Sequence, residues 1–191
     1  NIKNKQELNN VILTASGGPF LGRNYHSLKN ISFLVASKHP KWKMGYKNSI
    51  DSATLANKCL ELIEAHYLFN VRFNDLDMII HPESLIHSII EYKNYTSSLN
   101  YFYHDMFIPI YNFLNSNNLD KSSNYYPFIN KKFNFENVNK MNFFPPDYKN
   151  FPILKIFDKL DKSKPVNLIK FNCSNEFAVN LYSQNKIKYG D

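Results

Sequence analysis

Apolar residues along this chain recur with two different periods. The run Val-Ile-Leu-Thr-Ala at 11–15 is short and apolar, and Ser16-Gly17-Gly18-Pro19-Phe20 closes it with a strong turn signal. It predicts a buried strand ending in a tight bend. Segments 77–80, 89–92 and 97–102 read as three further strands. From Ser52 the spacing becomes helical, and a helix capped by Asp51 or Ser52 is expected to run to about residue 69. On such a helix Thr54, Asn57, Lys58 and Glu61 share one narrow face. The rest of its surface is almost wholly apolar: Leu55, Ala56, Cys59, Leu60, Leu62, Ile63, Tyr67 and Leu68. A surface helix has the opposite proportions, a broad polar face with an apolar stripe. A polar seam on a mostly buried helix meets either other buried polar groups or a ligand. An amide, an ammonium and a carboxylate together suit an anion or a metal ion.

Residues 21–50 read as a long loop with a short helix before it, and a loop of that length in a compact domain is usually functional or disordered. Residues 115–140, rich in Asn, Lys and Ser, read as a variable connector, and 151–160 and 175–185 as helices. The fold class expected is α/β (α+β): a mixed sheet with helices on one face and a long lid loop, then a connector and a partial C-terminal helical region.

Composition removes several function classes. The net charge is +7, but Arg23 and Arg72 are the only arginines among 23 basic residues, and the lysines are scattered. Base and phosphate recognition in nucleic acids favours Arg and a basic stripe, so no nucleic-acid partner is expected. Cys59 and Cys173 are too far apart and too few for a disulfide framework or a zinc site. No run of about 18 apolar residues exists, so no membrane span is expected. The opening Asn-Ile-Lys-Asn-Lys-Gln is neither a signal peptide nor headed by Met, which suggests a piece of a longer polypeptide.

Three places could carry chemistry besides the helical seam. A Ser-Gly-Gly bend after a strand can cradle phosphate with its backbone N–H groups, with the Ser16 hydroxyl alongside. Gly17, Gly18 and Gly22 lack dinucleotide-fingerprint spacing, and no Walker-type loop exists. His39, Trp42 and Met44 share a loop with Lys41 and Lys43, which reads either as a lid or as a surface loop anchored by its Trp. His81 and His87 flank a turn holding Glu83 and Ser84; their spacing matches no standard zinc site, and a structural role is the plainer reading.

The order of these pieces resembles the 1-deoxy-D-xylulose 5-phosphate reductoisomerase family. The match runs through Ser16 to Phe20, His39-Pro40-Lys41-Trp42-Lys43-Met44-Gly45, Asp51-Ser52-Ala53-Thr54, Asn57-Lys58, Glu61, His81-Pro82 and Ser84 to Ser88. Weaker echoes follow at Asp105-Met106, Pro146-Asp147-Tyr148 and Asn172 to Glu176. The resemblance implies a central catalytic domain at 1–114, a connector at 115–148 and the start of a C-terminal helical domain at 149–191. It implies NADPH, bound mainly by an N-terminal domain outside this chain, and Mg2+ or Mn2+. Ser16, Ser52, Asn57 and Lys58 would hold the substrate phosphate, and His39 would close on it with Trp42 and Met44 over the substrate. Glu61 would ligate the metal, and Ser84 and His87 would face the substrate's polar groups. His39, His87 and Glu61 would thus be the catalytic residues. The implied partners are a sugar phosphate and a second copy of the chain, in a plastid or a bacterial cytoplasm. The chain departs from the family pattern at Leu55, Ala56, Cys59, His104 and Phe107. A non-catalytic phospho-ligand-binding homologue is the alternative.

Overall fold

The computed structural model describes residues 7–39, 44–103, 105, 107–114 and 141–191. The elements are β1 (Leu8–Ala15), α1 (Tyr25–Leu28), α2 (Phe33–Ala36), α3 (Tyr46–Thr54), α4 (Ala56–Phe69), a 3-10 turn (Phe73–Asp75), β2 (Leu76–Ile80), β3 (Ile86–Tyr92), β4 (Ser97–Tyr101), α5 (Phe107–Leu114), α6 (Pro152–Asp158) and α7 (Pro165–Ser183). Among the described residues no helix is long and apolar enough to cross a membrane.

The four strands form one mixed sheet in the order β2-β1-β3-β4. β1 and β2 run parallel, in register from Val11 opposite Leu76 to Ala15 opposite Ile80, and α3 and α4 lie between them in the chain. Parallel neighbours need such a crossover, and α/β sheets bind their ligands outside the carboxyl ends of the parallel strands. β3 and β4 add antiparallel hairpin pairing. The fold is therefore α/β with a mixed sheet, as the sequence led us to expect.

α4 is the central spacer. Its Cys59 and Leu62 pack with Leu55 against Ala15, Met78 and Ile80 of the sheet and against Phe151, Leu154, Phe157 and Phe171 of the C-terminal segments. Burial pushes the Cys59 thiol up to about 12, and Asp158 adds to this, so Cys59 is a packing residue and not a nucleophile. A second cluster joins Phe20, Leu28, Ala36, Ile50 and Ala53 to Val179 and Tyr182 of α7. Both C-terminal helices begin with Pro at the first turn, where its missing N–H costs nothing.

Several expectations are corrected. The helix expected from Ser52 is two helices: Leu55 adopts φ 66°, in the left-handed region, and divides α3 from α4. Asp51 and Ser52 consequently sit inside α3 and cap nothing at its start, where Gly45 precedes the first turn. Thr54 leaves the seam; its hydroxyl accepts the Ala56 N–H at 3.3 Å and so serves the first turn of α4. Tyr67 and Leu68, expected in the buried arc, are 55% and 74% exposed at the end of α4. Residues 21–50 hold α1, α2 and the start of α3 where a long loop was expected. β3 begins at Ile86, three residues early, and α7 at Pro165, ten residues early. The connector at 115–140, His104 and Met106 lie outside the described residues.

Candidate functional site

The site grows from the carboxyl end of β1. After Ala15 the chain turns at Ser16, and Gly17 and Gly18 take φ 84° and 66°. Left-handed backbone of this kind favours glycine. Gly18 also has no room for a side chain: a Cβ there would lie 2.4 Å from the Ser52 carbonyl oxygen and 3.0 Å from its carbon. The bend is therefore pressed onto the last turn of α3, next to Ser52. The Ser16 hydroxyl accepts the Gly18 N–H at 3.2 Å and lies 3.3 Å from Nε2 of His39, which brings the lid-flanking histidine to the bend. Partial burial holds the His39 imidazole below its ordinary value, so the ring is neutral at neutral pH. Gly18→Ala is expected to cost ~2 kcal/mol of stability through left-handed strain and backbone collision. A lowered urea midpoint would register this; an unchanged midpoint would mean that the bend does not bear on α3.

The polar seam is real and shorter than expected. On the first turn and a half of α4, the Asn57 side-chain amide donates to Glu61 Oε1 at 2.5 Å and Lys58 Nζ donates to Glu61 Oε2 at 2.5 Å. Lys58 is buried, its side chain 11% exposed, whereas the Glu61 carboxylate is 35% exposed. A buried ammonium thus sits beside an acid that still reaches solvent. Ala15 shares a core with Leu55 and Cys59, so the bend at Ser16 and the start of α4 lie on neighbouring parts of one scaffold.

The turn after β2 lies beside the Ser16 bend. The His81 N–H donates to the Ala15 carbonyl at 2.7 Å, which ties this turn to the residue before Ser16. Ser84 is buried with φ 54°, and its N–H donates to the His81 carbonyl at 3.0 Å. His87 lies in β3, with Nε2 3.0 Å from the Phe102 carbonyl oxygen and its ring stacked on Phe102 at 3.5 Å. Met44 is 38% exposed, and Trp42 lies outside the described residues.

Two features escaped the sequence reading. Asp51, 1% exposed, is held between the Lys47 ammonium on its own helix and the Asn175 amide of α7, the latter at 2.8 Å. The i, i+4 spacing of Lys47 and Asp51 was the available signal. His81 is fully buried against a strand-like segment at 142–144, a contact across 61 residues that no local pattern announces.

A carboxylate oxygen is a hard ligand, so Glu61 suits a divalent cation in kind. Among the described residues no group of three His, Cys, Asp or Glu side chains comes together. Glu61 could therefore offer one ligand, and the described residues bring no cluster of such side chains around it.

Comparison with known proteins agrees with this architecture. Residues 1–69 match the family model described as 1-deoxy-D-xylulose 5-phosphate reductoisomerase C-terminal domain, and residues 103–191 that described as DXP reductoisomerase C-terminal domain. The 1-deoxy-D-xylulose 5-phosphate reductoisomerase of Clostridium tetani is 41% identical over 189 residues, 97% of this chain and 47% of the relative. That of Sulfurihydrogenibium sp. is 40% identical over 196 residues, 98% of this chain and 48% of the relative. Both organisms are bacteria, and neither match points to a plastid. A crystal structure of DOX-P reductoisomerase in complex with NADPH, fosmidomycin and magnesium superposes with a TM-score of 0.83 at 34% identity, covering 97% of this chain and 44% of that one. The chain thus spans about half the length of the relatives it matches, and it belongs to the 1-deoxy-D-xylulose 5-phosphate reductoisomerase family, whose central and C-terminal domains it represents.

Proposed function

We propose that this chain forms the substrate-binding and catalytic part of an NADPH- and divalent-metal-dependent reductoisomerase. The reaction is conversion of 1-deoxy-D-xylulose 5-phosphate to 2-C-methyl-D-erythritol 4-phosphate in isoprenoid biosynthesis. The observation that carries the reading is the pairing of buried Lys58 with half-buried Glu61 at the start of α4, beside a Ser-Gly-Gly bend pressed onto Ser52. In this reading residues 1–114 form the catalytic domain, 115–148 a connector and 149–191 the start of a helical domain. The complete enzyme is a homodimer in a bacterial cytoplasm.

Ser16, Ser52, Asn57 and Lys58 hold the phosphate, far from the reacting atoms. Binding energy gathered there orients the sugar and draws the lid residues His39, Trp42 and Met44 over it. Lys58 supplies charge and the two serines supply directional hydrogen bonds. Before ligand arrives, Lys58 and Glu61 neutralise each other. A phosphate on the Lys58 side and a cation on the Glu61 side would replace that pairing with two others, so neither charge is ever buried alone. Ser84 and His87 face the polar groups of the sugar. The bound groups supply carbonyl polarisation by the divalent cation and hydride donation by NADPH.

The test is turnover of 1-deoxy-D-xylulose 5-phosphate by the complete enzyme with NADPH and magnesium. Glu61→Gln is expected to raise the magnesium concentration for half-maximal turnover ~10-fold or more. Turnover that is absent in the wild type while phospho-ligand binding persists would favour the non-catalytic homologue.

A further inference from the structure

We propose that His81 is a ligand-binding residue whose buried Nε2 accepts a hydrogen bond from a hydroxyl group of the bound ligand. The inference rests on the sugar-phosphate reading above and adds a residue to it.

His81 is 0% exposed. One edge of its ring is fully committed: Nδ1 lies 2.8 Å from the Asn142 carbonyl oxygen and 3.2 Å from Glu83 Oε2. Both neighbours accept hydrogen bonds, so in the neutral ring Nδ1 carries the proton and Nε2 presents a lone pair. The ring is held in this pose. It stacks on Phe143 with centroids 4.6 Å apart and planes 14° apart. The flanking backbone is bridged where Ile80 and Phe144 exchange two hydrogen bonds of 2.9 Å. Glu83 is fixed in turn, its Oε2 accepting the Asn142 N–H at 3.1 Å and its Oε1 the Asn142 side-chain amide at 2.7 Å.

Nε2, on the opposite edge of the ring, is buried and has no hydrogen-bond partner among the described residues. Buried polar atoms in folded proteins are nearly always paired, and an unpaired one calls for an explanation. Its place in the fold supplies one. His81 is the first residue past β2, and its N–H is bonded to Ala15, the residue before the Ser16 bend. It also anchors both the N–H and the hydroxyl of Ser84, at 3.0 and 3.5 Å. His81 therefore lies at the carboxyl ends of the parallel strands, bonded both to the residue that leads into the Ser16 bend and to Ser84, and this is the end of an α/β sheet at which ligands bind. A carboxylate or carbonyl on one ring nitrogen sets what the other can do, and here it leaves an acceptor for a donor O–H.

Nitrogen-15 NMR of the histidine rings in the complete enzyme tests this. The free enzyme is expected to carry the His81 proton on Nδ1. Adding 1-deoxy-D-xylulose 5-phosphate and magnesium, with NADPH omitted, is expected to move the Nε2 signal to a hydrogen-bonded position. A proton on Nε2 in the free enzyme, or an unmoved Nε2 signal in the complex, overturns the proposal. His39 is the control. Movement of His39 without His81 sinks this inference alone, whereas movement of neither sinks the sugar-phosphate reading as well. Variants give a second readout. His81→Asn can keep a donor near Nδ1, and His81→Gln can keep an acceptor near Nε2. His81→Asn is expected to raise KM ~10-fold, one hydrogen bond's worth, with kcat less affected, and His81→Gln to restore KM. Equal KM values for the two variants would overturn the proposal.

Discussion

Lys58→Ala in the complete enzyme is expected to raise the dissociation constant for a phosphate- or phosphonate-bearing ligand by about 30- to 1,000-fold. That range corresponds to ~2–4 kcal/mol, the loss on truncating one partner of a desolvated charge pair. The size follows from burial. The Lys58 side chain is 11% exposed, so a phosphate meeting it does so away from bulk water. The same contact on an open surface would be worth ~1 kcal/mol or less. Lys58→Arg is not expected to be a full rescue, because a planar, forked guanidinium replaces the compact point charge that pairs with Glu61. Titration calorimetry with fosmidomycin and magnesium reads the effect directly. An unchanged constant in Lys58→Ala would remove the phosphate from this helix and leave Lys58 as a partner of Glu61 alone.

The legible parts of this molecule were those whose signals are local. β1 and its bend were visible because an apolar run stops at Ser-Gly-Gly, and both glycines do adopt left-handed backbone. Asn57, Lys58 and Glu61 were placed together by helical spacing alone, and they do hydrogen-bond one another. The break at Leu55 was not legible. Leucine rarely adopts positive φ, so nothing in its chemistry announces a left-handed residue; packing imposes the conformation, with Leu55 2% exposed in the core. The beginning of α7 was missed for a related reason. Its apolar residues face both ways: Leu168, Phe171, Val179 and Tyr182 are buried, while Val166, Ile169 and Phe177 are exposed. A helix with apolar residues on both sides has no stripe to detect. His81 illustrates a third limit. Its neighbours at 142–144 become neighbours only because that segment bridges the end of β2, and sequence separation hides such a bridge. The order of motifs, by contrast, pointed to the family without any geometry, because several short patterns in one fixed sequence order rarely coincide by chance.

Asp51→Ala is expected to destabilise the protein by ~3 kcal/mol, with a matching fall in the urea midpoint. The carboxylate is 1% exposed and joins two elements distant in sequence, accepting from Lys47 within α3 and from Asn175 on α7. Removing it leaves the Asn175 amide without this acceptor and the Lys47 ammonium without its counter-charge. Lys47 keeps 31% side-chain exposure and can turn toward water, which holds the cost to the lower end of the range for broken buried pairs. Asp51→Asn should cost less, since one amide oxygen can still serve Lys47 or Asn175, though not both. The consequence reaches the site because Ser52 follows Asp51 and its carbonyl is the surface on which Gly18 rests. A helix turn that loses its tie to α7 is free to shift the bend carrying Ser16. Asp51→Ala should therefore weaken phospho-ligand binding even where the protein remains folded. A double-mutant cycle with Asn175→Ala isolates the tie between the helices, with an expected coupling of ~1–2 kcal/mol. Strict additivity of the two substitutions would show that Asn175 does not hold Asp51, and that α7 stabilises α3 through the apolar contacts of Ile50 and Val179 alone.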